Sequence, residues 1–164
     1  MHRARSGVWL AVFLACLAAC QKQTPAGAEQ PRQRAAATRD LSIDEGRGGH
    51  TLKRHVGRTD EQLRDRLEHE RNISAASTYT DKETAERAVG AAITGNQQKI
   101  ERWEQRGVRR PNLVLDYTEP NDALGRVMYR GAMGSVPCDR SIVVLKADGA
   151  SDYFVLTSYP ECRP

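Results

Sequence analysis

The chain has 164 residues, of which 39% are hydrophobic and 5% aromatic, and its formal net charge is +4. Because a targeting segment and a low-complexity stretch take up the first part of this length, only one compact domain with a modest core can follow. From residue 46 onward, 19 basic residues stand against 17 acidic ones, a balance of only +2. The high pI of the whole chain is therefore no evidence of a broad nucleic-acid-binding face.

The first 19 residues have the pattern of a bacterial export signal. An apolar run over residues 8–19 follows a positively charged start, and it is too short to span a bilayer comfortably. It ends in Leu17-Ala18-Ala19-Cys20, which resembles the bacterial lipobox. We expect residues 1–19 to be a lipoprotein signal peptide and Cys20 to carry a lipid anchor, with Gln21 favouring the outer membrane. An ordinary cleaved signal peptide is the alternative.

Residues 20–47 are predicted to form a tether. Beyond Cys20 this stretch consists mainly of Gln, Ala, Thr, Arg, Pro and Gly and contains almost no large apolar residue. Such a composition cannot bury enough surface to fold. The segment would hold an exported domain, spanning residues 48–164, away from the membrane.

The first half of that domain shows helical patterns. Thr59 can cap a first helix, whose opening turn carries two acidic residues. The sequence Thr80-Asp81-Lys82-Glu83 has the form of a capping box, and apolar residues recur after it at helical spacing. Gly95 interrupts this second helix, and a third helical stretch around Trp103 ends before Pro111.

The second half of the domain shows strand patterns. Alternating apolar residues predict a strand over 113–117, and a further strand is predicted over 125–129. Residues 141–146 and 153–157 are rich in strand-forming residues and flank a turn region, which predicts a hairpin. Helices followed by antiparallel strands indicate an α+β fold.

Cys138 and Cys162 are the two cysteines that remain in an exported, oxidising setting, and we expect them to pair. With the hairpin centred near Ala150, the two would face each other across its open end. The sequence leaves the register of that hairpin open.

The motifs of the domain follow the order of a known family. Gly48-Gly49-His50-Thr51-Leu52 is followed by His55-Val56-Gly57 and Arg66-Leu67, then by residues 74–81, an apolar helix and the closing Leu156-Thr157-Ser158-Tyr159-Pro160. Together they resemble the bacterial RNase A-like toxin domain found at the C-termini of contact-dependent growth-inhibition proteins. The resemblance covers nearly all of residues 48–164. It implies a pancreatic ribonuclease-like α+β fold with N-terminal helices followed by an antiparallel sheet.

The resemblance also implies an activity and a site. The activity is metal-independent endoribonuclease action on RNA, with tRNA as one candidate target, no cofactor and a cognate immunity protein as partner. The family's catalytic positions fall on His55, Arg66, Thr157 and Tyr159. Tyr79 stands where the family usually has Phe, a change that leaves the assignment intact.

These residue types suit RNA cleavage without a metal. A histidine can transfer a proton near neutral pH, and an arginine offers a planar fork of N–H donors to phosphate oxygens. Thr157 and Tyr159 alternate on one strand and therefore point to the same face, where hydroxyls can hold substrate or give up a proton. Cleavage would then run through a 2′,3′-cyclic phosphate.

Several alternatives stay open at this point. His50 and Lys53 are assigned to substrate binding, but His50 could instead be a second acid–base group or bond only to its loop, and Lys53 could be solvated. A metal site built on His50, His55 and His69 matches no common zinc spacing. Arg54 together with Ser77-Thr78 could suggest an ADP-ribosyltransferase, but such enzymes carry paired glutamates in a late loop, and this sequence lacks that pair. The main rival is a non-catalytic surface lipoprotein of the same fold that binds RNA or a protein partner.

Overall fold

The computed structural model describes residues 38–162. These residues contain five helices and six strands in the following order: α1 (Leu41–Gly46), α2 (Thr51–His55), α3 (Asp60–His69), β1 (Ala75–Tyr79), α4 (Lys82–Gly95), α5 (Gln97–Glu104), β2 (Leu113–Thr118), β3 (Gly125–Tyr129), β4 (Val136–Cys138), β5 (Arg140–Ala147) and β6 (Tyr153–Pro160). The predicted α+β class is confirmed. Within this part of the chain, no helix is long and apolar enough to cross a membrane.

Helix α1 precedes residue 48, where the predicted domain begins. The signal peptide, Cys20 and most of the tether lie outside the described residues, but α1 belongs to the domain and not to the tether. Leu41 is fully buried in the core. Asp44, also buried, pairs with Arg39 at 2.7 Å and accepts a hydrogen bond from the Val155 N–H at 2.9 Å. These contacts attach α1 to the folded part of the chain, although the composition of its segment favours disorder.

The predicted helix boundaries are close to those observed. Thr59 caps α3 with a full capping box that includes Gln62. The cap of α4 is Asp81, which accepts from the Thr84 N–H, so this helix starts one residue later than a Thr80 cap would place it. The break predicted at Gly95 separates α4 from α5.

The strands form two antiparallel three-stranded sheets, with the orders β1-β3-β4 and β2-β5-β6. The predicted strands over 113–117 and 125–129 and the hairpin correspond to β2, β3 and the β5–β6 pair. Two strands were not predicted. Strand β1 consists largely of Ala, Ser and Thr, and it is fixed by pairing along its whole length with β3. Strand β4 has only three residues, one of them a proline.

The larger of two hydrophobic clusters in residues 38–162 joins α4 and α5 to the second sheet. Its centre is apolar and fully buried, with contributions from Val89, Leu115, Val143, Leu145 and Val155 among others. Tyr79, at the end of β1, extends this core to the first sheet: its hydroxyl bonds to the Ser158 Oγ at 2.6 Å. The Tyr-for-Phe departure thus gives the core a polar link between the sheets.

A smaller cluster holds α3 against the first sheet. Leu63 and Leu67 pack against Ala76 of β1 and Met128 of β3, and all four are buried. Because Arg66 lies next to Leu67 on the helix, this packing fixes the height and rotation of α3 with respect to β1.

A bulge in β6 decides which way its last side chains point. Val155 is opposite Leu145 and Thr157 is opposite Val144, so Leu156 is an extra residue on this strand. Residues paired across two strands share a face. In a regular strand, Val155 and Thr157 would share the core face, because side chains alternate along a strand. The bulge instead turns Thr157 and Tyr159 to the opposite face.

Cys138 and Cys162 form a disulfide with a Cα–Cα distance of 5.5 Å. The bond lies just beyond the open end of the β5–β6 hairpin, where Ser141 pairs with Pro160 and the Glu161 N–H donates to the Arg140 carbonyl. Cys138 also belongs to β4 and pairs there with Gly125 of β3. The disulfide therefore connects the two sheets as well.

Removing this disulfide should destabilise the domain. We expect the Cys138→Ser/Cys162→Ser double variant to lose about 2–4 kcal/mol of unfolding free energy, because the bond closes a loop of 24 residues in the unfolded chain. Chemical denaturation of the oxidised protein and the variant measures the difference. Equal midpoints in the two proteins would contradict the expectation.

Candidate active site

One cleft of about 620 Å³ gathers most of the predicted catalytic and substrate-binding residues. Helix α2, helix α3 and strands β1 and β6 each supply part of its wall. The predicted residues among its lining are His50, His55, Arg66, Thr157 and Tyr159. The structure thus brings together positions that lie more than a hundred residues apart in the sequence.

The motif Gly48-Gly49-His50-Thr51-Leu52 brings α2 against β6. Gly49 comes so close to the neighbouring backbone that an added Cβ would lie 2.6 Å from the Val155 carbonyl oxygen. The His50 N–H donates to the Leu156 carbonyl at 3.0 Å, and the Ser158 N–H donates to the Thr51 hydroxyl at 2.8 Å. These contacts hold the start of α2 on the bulged part of β6.

The motif His55-Val56-Gly57 orients the His55 side chain at the end of α2. Gly57 has a φ of +64°, a backbone conformation that glycine adopts readily, and its N–H donates to the Tyr79 carbonyl at 3.1 Å. Val56 forms a bridge with Tyr79. With the chain fixed there, the imidazole of His55 enters the cleft and its ring centroid lies 5.3 Å from that of Tyr159.

His55 is held as a neutral base. Its Nδ1 lies 3.3 Å from the Ser77 carbonyl oxygen of β1. A carbonyl can only accept, so Nδ1 carries the proton and Nε2 keeps a lone pair. Burial lowers the pKa of His55 to about 3, and the positive charge of Arg66 acts in the same direction. The ring is therefore unprotonated at neutral pH and able to accept a proton.

Arg66 offers an unused donor to the cleft. Its Nε donates at 3.2 Å to Glu70, the C-cap residue of α3. Its Nη1 is buried and has no hydrogen-bond partner within residues 38–162. A buried N–H without a partner is costly, and a phosphate oxygen would satisfy it.

Thr157 and Tyr159 add hydroxyls from β6. The Thr157 Oγ1 is likewise buried without a hydrogen-bond partner in the described part of the chain. Tyr159 is half-buried, and its pKa is raised by burial and by the charge of Glu161. The phenol therefore stays protonated at neutral pH and can donate.

The two residues assigned to substrate binding are in different places. His50 lines the cleft, with its ring centroid 6.5 Å from that of His55, and its pKa is lowered by burial and by the charge of Arg54. Lys53 is exposed and does not line the cleft. His69 also lies outside it, so the three histidines do not form one cluster. Among residues 38–162, no group of three or more His, Cys, Asp or Glu side chains is placed to hold a metal.

Two supporting residues were missed by sequence reasoning. The Ser77 carbonyl sets the tautomer of His55, and Glu70 fixes Arg66 while also accepting from Arg54 at 2.5 Å. The first acts through its backbone and leaves no mark in residue type. The second could have been found, since Glu70 follows Arg66 by four residues on a predicted helix.

Comparisons with known proteins identify the family of the chain. The family described as "Bacterial CdiA-CT RNAse A domain" matches residues 49–160. Among solved structures, the chain is similar to that of a CdiA-CT/CdiI complex from Y. kristensenii 33638, with a TM-score of 0.62 and 31% identity over 70% of this chain and 100% of that chain. A search of curated proteins gives no significant match. The chain belongs to the bacterial CdiA-CT RNase A domains, a family of toxic ribonucleases of contact-dependent growth inhibition.

Proposed function

We propose that the protein is a metal-independent endoribonuclease that cleaves RNA through the attack of its 2′-hydroxyl on the adjacent phosphate. The observation that carries the proposal is the content of the cleft. A neutral buried imidazole, a guanidinium with an unpaired buried N–H and two hydroxyl groups meet there, so that each role in the reaction has a side chain. Membership of a family of toxic ribonucleases supports the same chemistry.

The roles follow from the state of each group. His55 Nε2 takes the proton from the 2′-hydroxyl while the 2′-oxygen forms a bond to phosphorus. Arg66 Nη1 and the Thr157 hydroxyl donate to the phosphorane oxygens as negative charge develops there. The bond to the 5′-oxygen breaks, and Tyr159 gives that oxygen a proton. The products are a 2′,3′-cyclic phosphate and a 5′-hydroxyl end.

The products and the substrate requirement test this mechanism. The full chain, incubated with an RNA oligonucleotide in excess EDTA, should yield cyclic phosphate ends, which mass spectrometry identifies. One 2′-deoxy substitution at the scissile nucleotide should block cleavage at that site, because it removes the nucleophile. Cleavage that needs an added metal, or that ignores the 2′-deoxy substitution, would show that the mechanism is wrong.

The same assay separates the enzyme from its rival. A non-catalytic lipoprotein of this fold would bind the oligonucleotide, or a protein partner, without producing new RNA ends under any condition. Cleavage that disappears when His55 is replaced supports the enzyme, whereas binding without cleavage supports the rival.

We also propose that the chain is exported and lipid-anchored through Cys20, on the basis of the lipobox-like sequence before it. Metabolic labelling with a palmitate analogue should mark the protein, and Cys20→Ser should abolish the label. Labelling of the variant at the level of the parent protein would overturn the anchor.

A cognate immunity protein is proposed as partner, because the solved structure similar to this chain is a complex with CdiI. The product of a neighbouring reading frame is the first candidate to test. It should bind the full chain and suppress RNA cleavage.

A further inference from the structure

A second, smaller groove lies beside the catalytic cleft. It has a volume of about 200 Å³ and is lined by residues of α2, α3 and the turn between them. Its charged side chains are Lys53, Arg54, Arg58, Arg66 and Glu70. Arg66 lines both the groove and the cleft. An anion in the groove would therefore be a direct neighbour of the phosphate at the reaction centre.

The groove carries an excess of positive charge. Gln62 and Arg66 of α3 and its C-cap residue Glu70 follow each other at intervals of four residues and thus form one stripe towards the C-terminal end of the helix. Glu70 is the one acid among the groove's lining residues, and it is already engaged by Arg54 at 2.5 Å and Arg66 at 3.2 Å. One carboxylate cannot neutralise four cations, so the groove attracts an anion.

Arg58 is fixed at the side of this groove. Its backbone N–H donates to the Thr78 hydroxyl at 2.9 Å, and its carbonyl accepts from Arg126. Its side chain donates through Nη2 to the Lys53 carbonyl, whereas its Nε is buried and unpartnered among the described residues. An anchored guanidinium with an unused donor is well suited to a phosphate oxygen.

We propose that this groove binds a second phosphate of the RNA strand, adjacent to the scissile one, through Arg54 and Arg58. The proposal rests on the proposed ribonuclease function. RNA is chosen over an acidic protein segment because Arg66 lines both the groove and the cleft, and consecutive phosphates of one strand are the ligand that such a pair of sites would hold. Binding here would align the strand and not take part in the bond changes.

Substrates of different length test the groove. A dinucleotide with a single phosphodiester has no second phosphate, whereas the same dinucleotide extended by one phosphorylated nucleotide at its 5′ or 3′ end supplies one. For the unmodified chain, we expect one of the two extensions to raise kcat/KM roughly tenfold or more, since charge-assisted contacts are the stronger hydrogen bonds. In Arg54→Ala and Arg58→Ala, the ratio of kcat/KM for the extended substrate to kcat/KM for the dinucleotide should fall towards one.

Arg64→Ala is the matched control. Arg64 is an exposed arginine of α3 that lines neither the groove nor the cleft, so its removal changes net charge equally but should preserve the ratio. Arg58→Lys keeps a charge without the fork and should give an intermediate ratio, which also guards against a fold defect in Arg58→Ala. The proposal is overturned if the groove variants and Arg64→Ala keep the same ratio.

A binding experiment separates failure of the proposed phosphate groove from failure of the proposed ribonuclease mechanism. Binding of an oligonucleotide with 2′-deoxyribose at the scissile nucleotide is measured by anisotropy against salt concentration. Loss of one phosphate contact should reduce the salt slope by about 0.7 in Arg58→Ala. A chain that cuts no RNA but shows this reduction keeps the groove and loses the enzyme. A slope unchanged in the groove variants, or a loss confined to binding of an acidic protein partner, overturns the groove.

Discussion

Replacing His55 with asparagine is expected to lower RNA cleavage by roughly 10²-fold or more, because a positioned acid–base group usually contributes about 10²–10⁴. The asparagine amide can still donate to the Ser77 carbonyl, as Nδ1 does at 3.3 Å, but it has no basic nitrogen at the position of Nε2. Single-turnover cleavage of an RNA oligonucleotide measures the loss. A variant that folds normally and cuts at the parent rate would remove His55 from the mechanism.

The pH dependence tests the state of the same residue. Burial, aided by the charge of Arg66, lowers the pKa of His55 from 6.5 to about 3. The acidic limb of kcat/KM, which reports the free enzyme, should therefore lie well below pH 6.5. In the complex, the negative phosphate favours the imidazolium, so the acidic limb of kcat should lie at higher pH than that of kcat/KM.

The lowered pKa of His55 should also make the free energy of unfolding depend on pH. The unfolded chain protonates this histidine near pH 6.5, but the folded protein does so only near pH 3. Between these values the unfolded state binds more protons, so the free energy of unfolding decreases as the pH falls. The His55→Asn variant should lack this part of the decrease, which denaturation curves at several pH values will measure.

Arg66→Ala is expected to reduce cleavage by about 10²–10³-fold, because the developing charge on the phosphorane loses a preorganised donor. Arg66→Lys should recover little of this loss. A lysine keeps the charge but cannot bond to Glu70 with one nitrogen and present a second N–H to phosphate in the geometry of a planar fork.

Arg64→Ala provides the control for charge and helix stability, since it lies on the same helix outside the cleft. Its kcat should stay close to that of the parent chain. Full recovery of activity in Arg66→Lys would mean that Arg66 acts only as a diffuse positive charge, and it would contradict the role assigned to Nη1.

The parts of the fold that could be predicted are those with strong local signals. The capping residue Thr59 and the strand over residues 125–129 are examples, since side chain and backbone preferences agree there. Strand β1 and helix α1 could not be predicted, because long-range contacts define them. Pairing with β3 extends a run of small residues in β1, and burial of Leu41 orders α1.

The site shows the same division between residues and geometry. The family resemblance supplied the positions that line the cleft, but neither it nor the spacing contains the bulge at Leu156 that turns Thr157 away from the core. Residue types also could not reveal that Lys53 falls outside the cleft. Lys53 lies only two residues from His55, but it faces another side of α2. Catalytic roles for the predicted residues stay predictions until the variants are measured.

The bonds along β6 have a consequence for self-association. This strand is the last of its sheet, and a bare last strand offers unpaired backbone groups to any other chain. Three such groups of β6 are instead bonded within the molecule. The Val155 N–H donates to the Asp44 carboxylate, the Leu156 carbonyl accepts from the His50 N–H, and the Ser158 N–H donates to the Thr51 hydroxyl. A fragment that begins at Gly48 lacks the first of these partners together with the whole of α1. We expect it to associate through strand addition at β6, whereas a fragment that begins before Arg39 should stay monomeric.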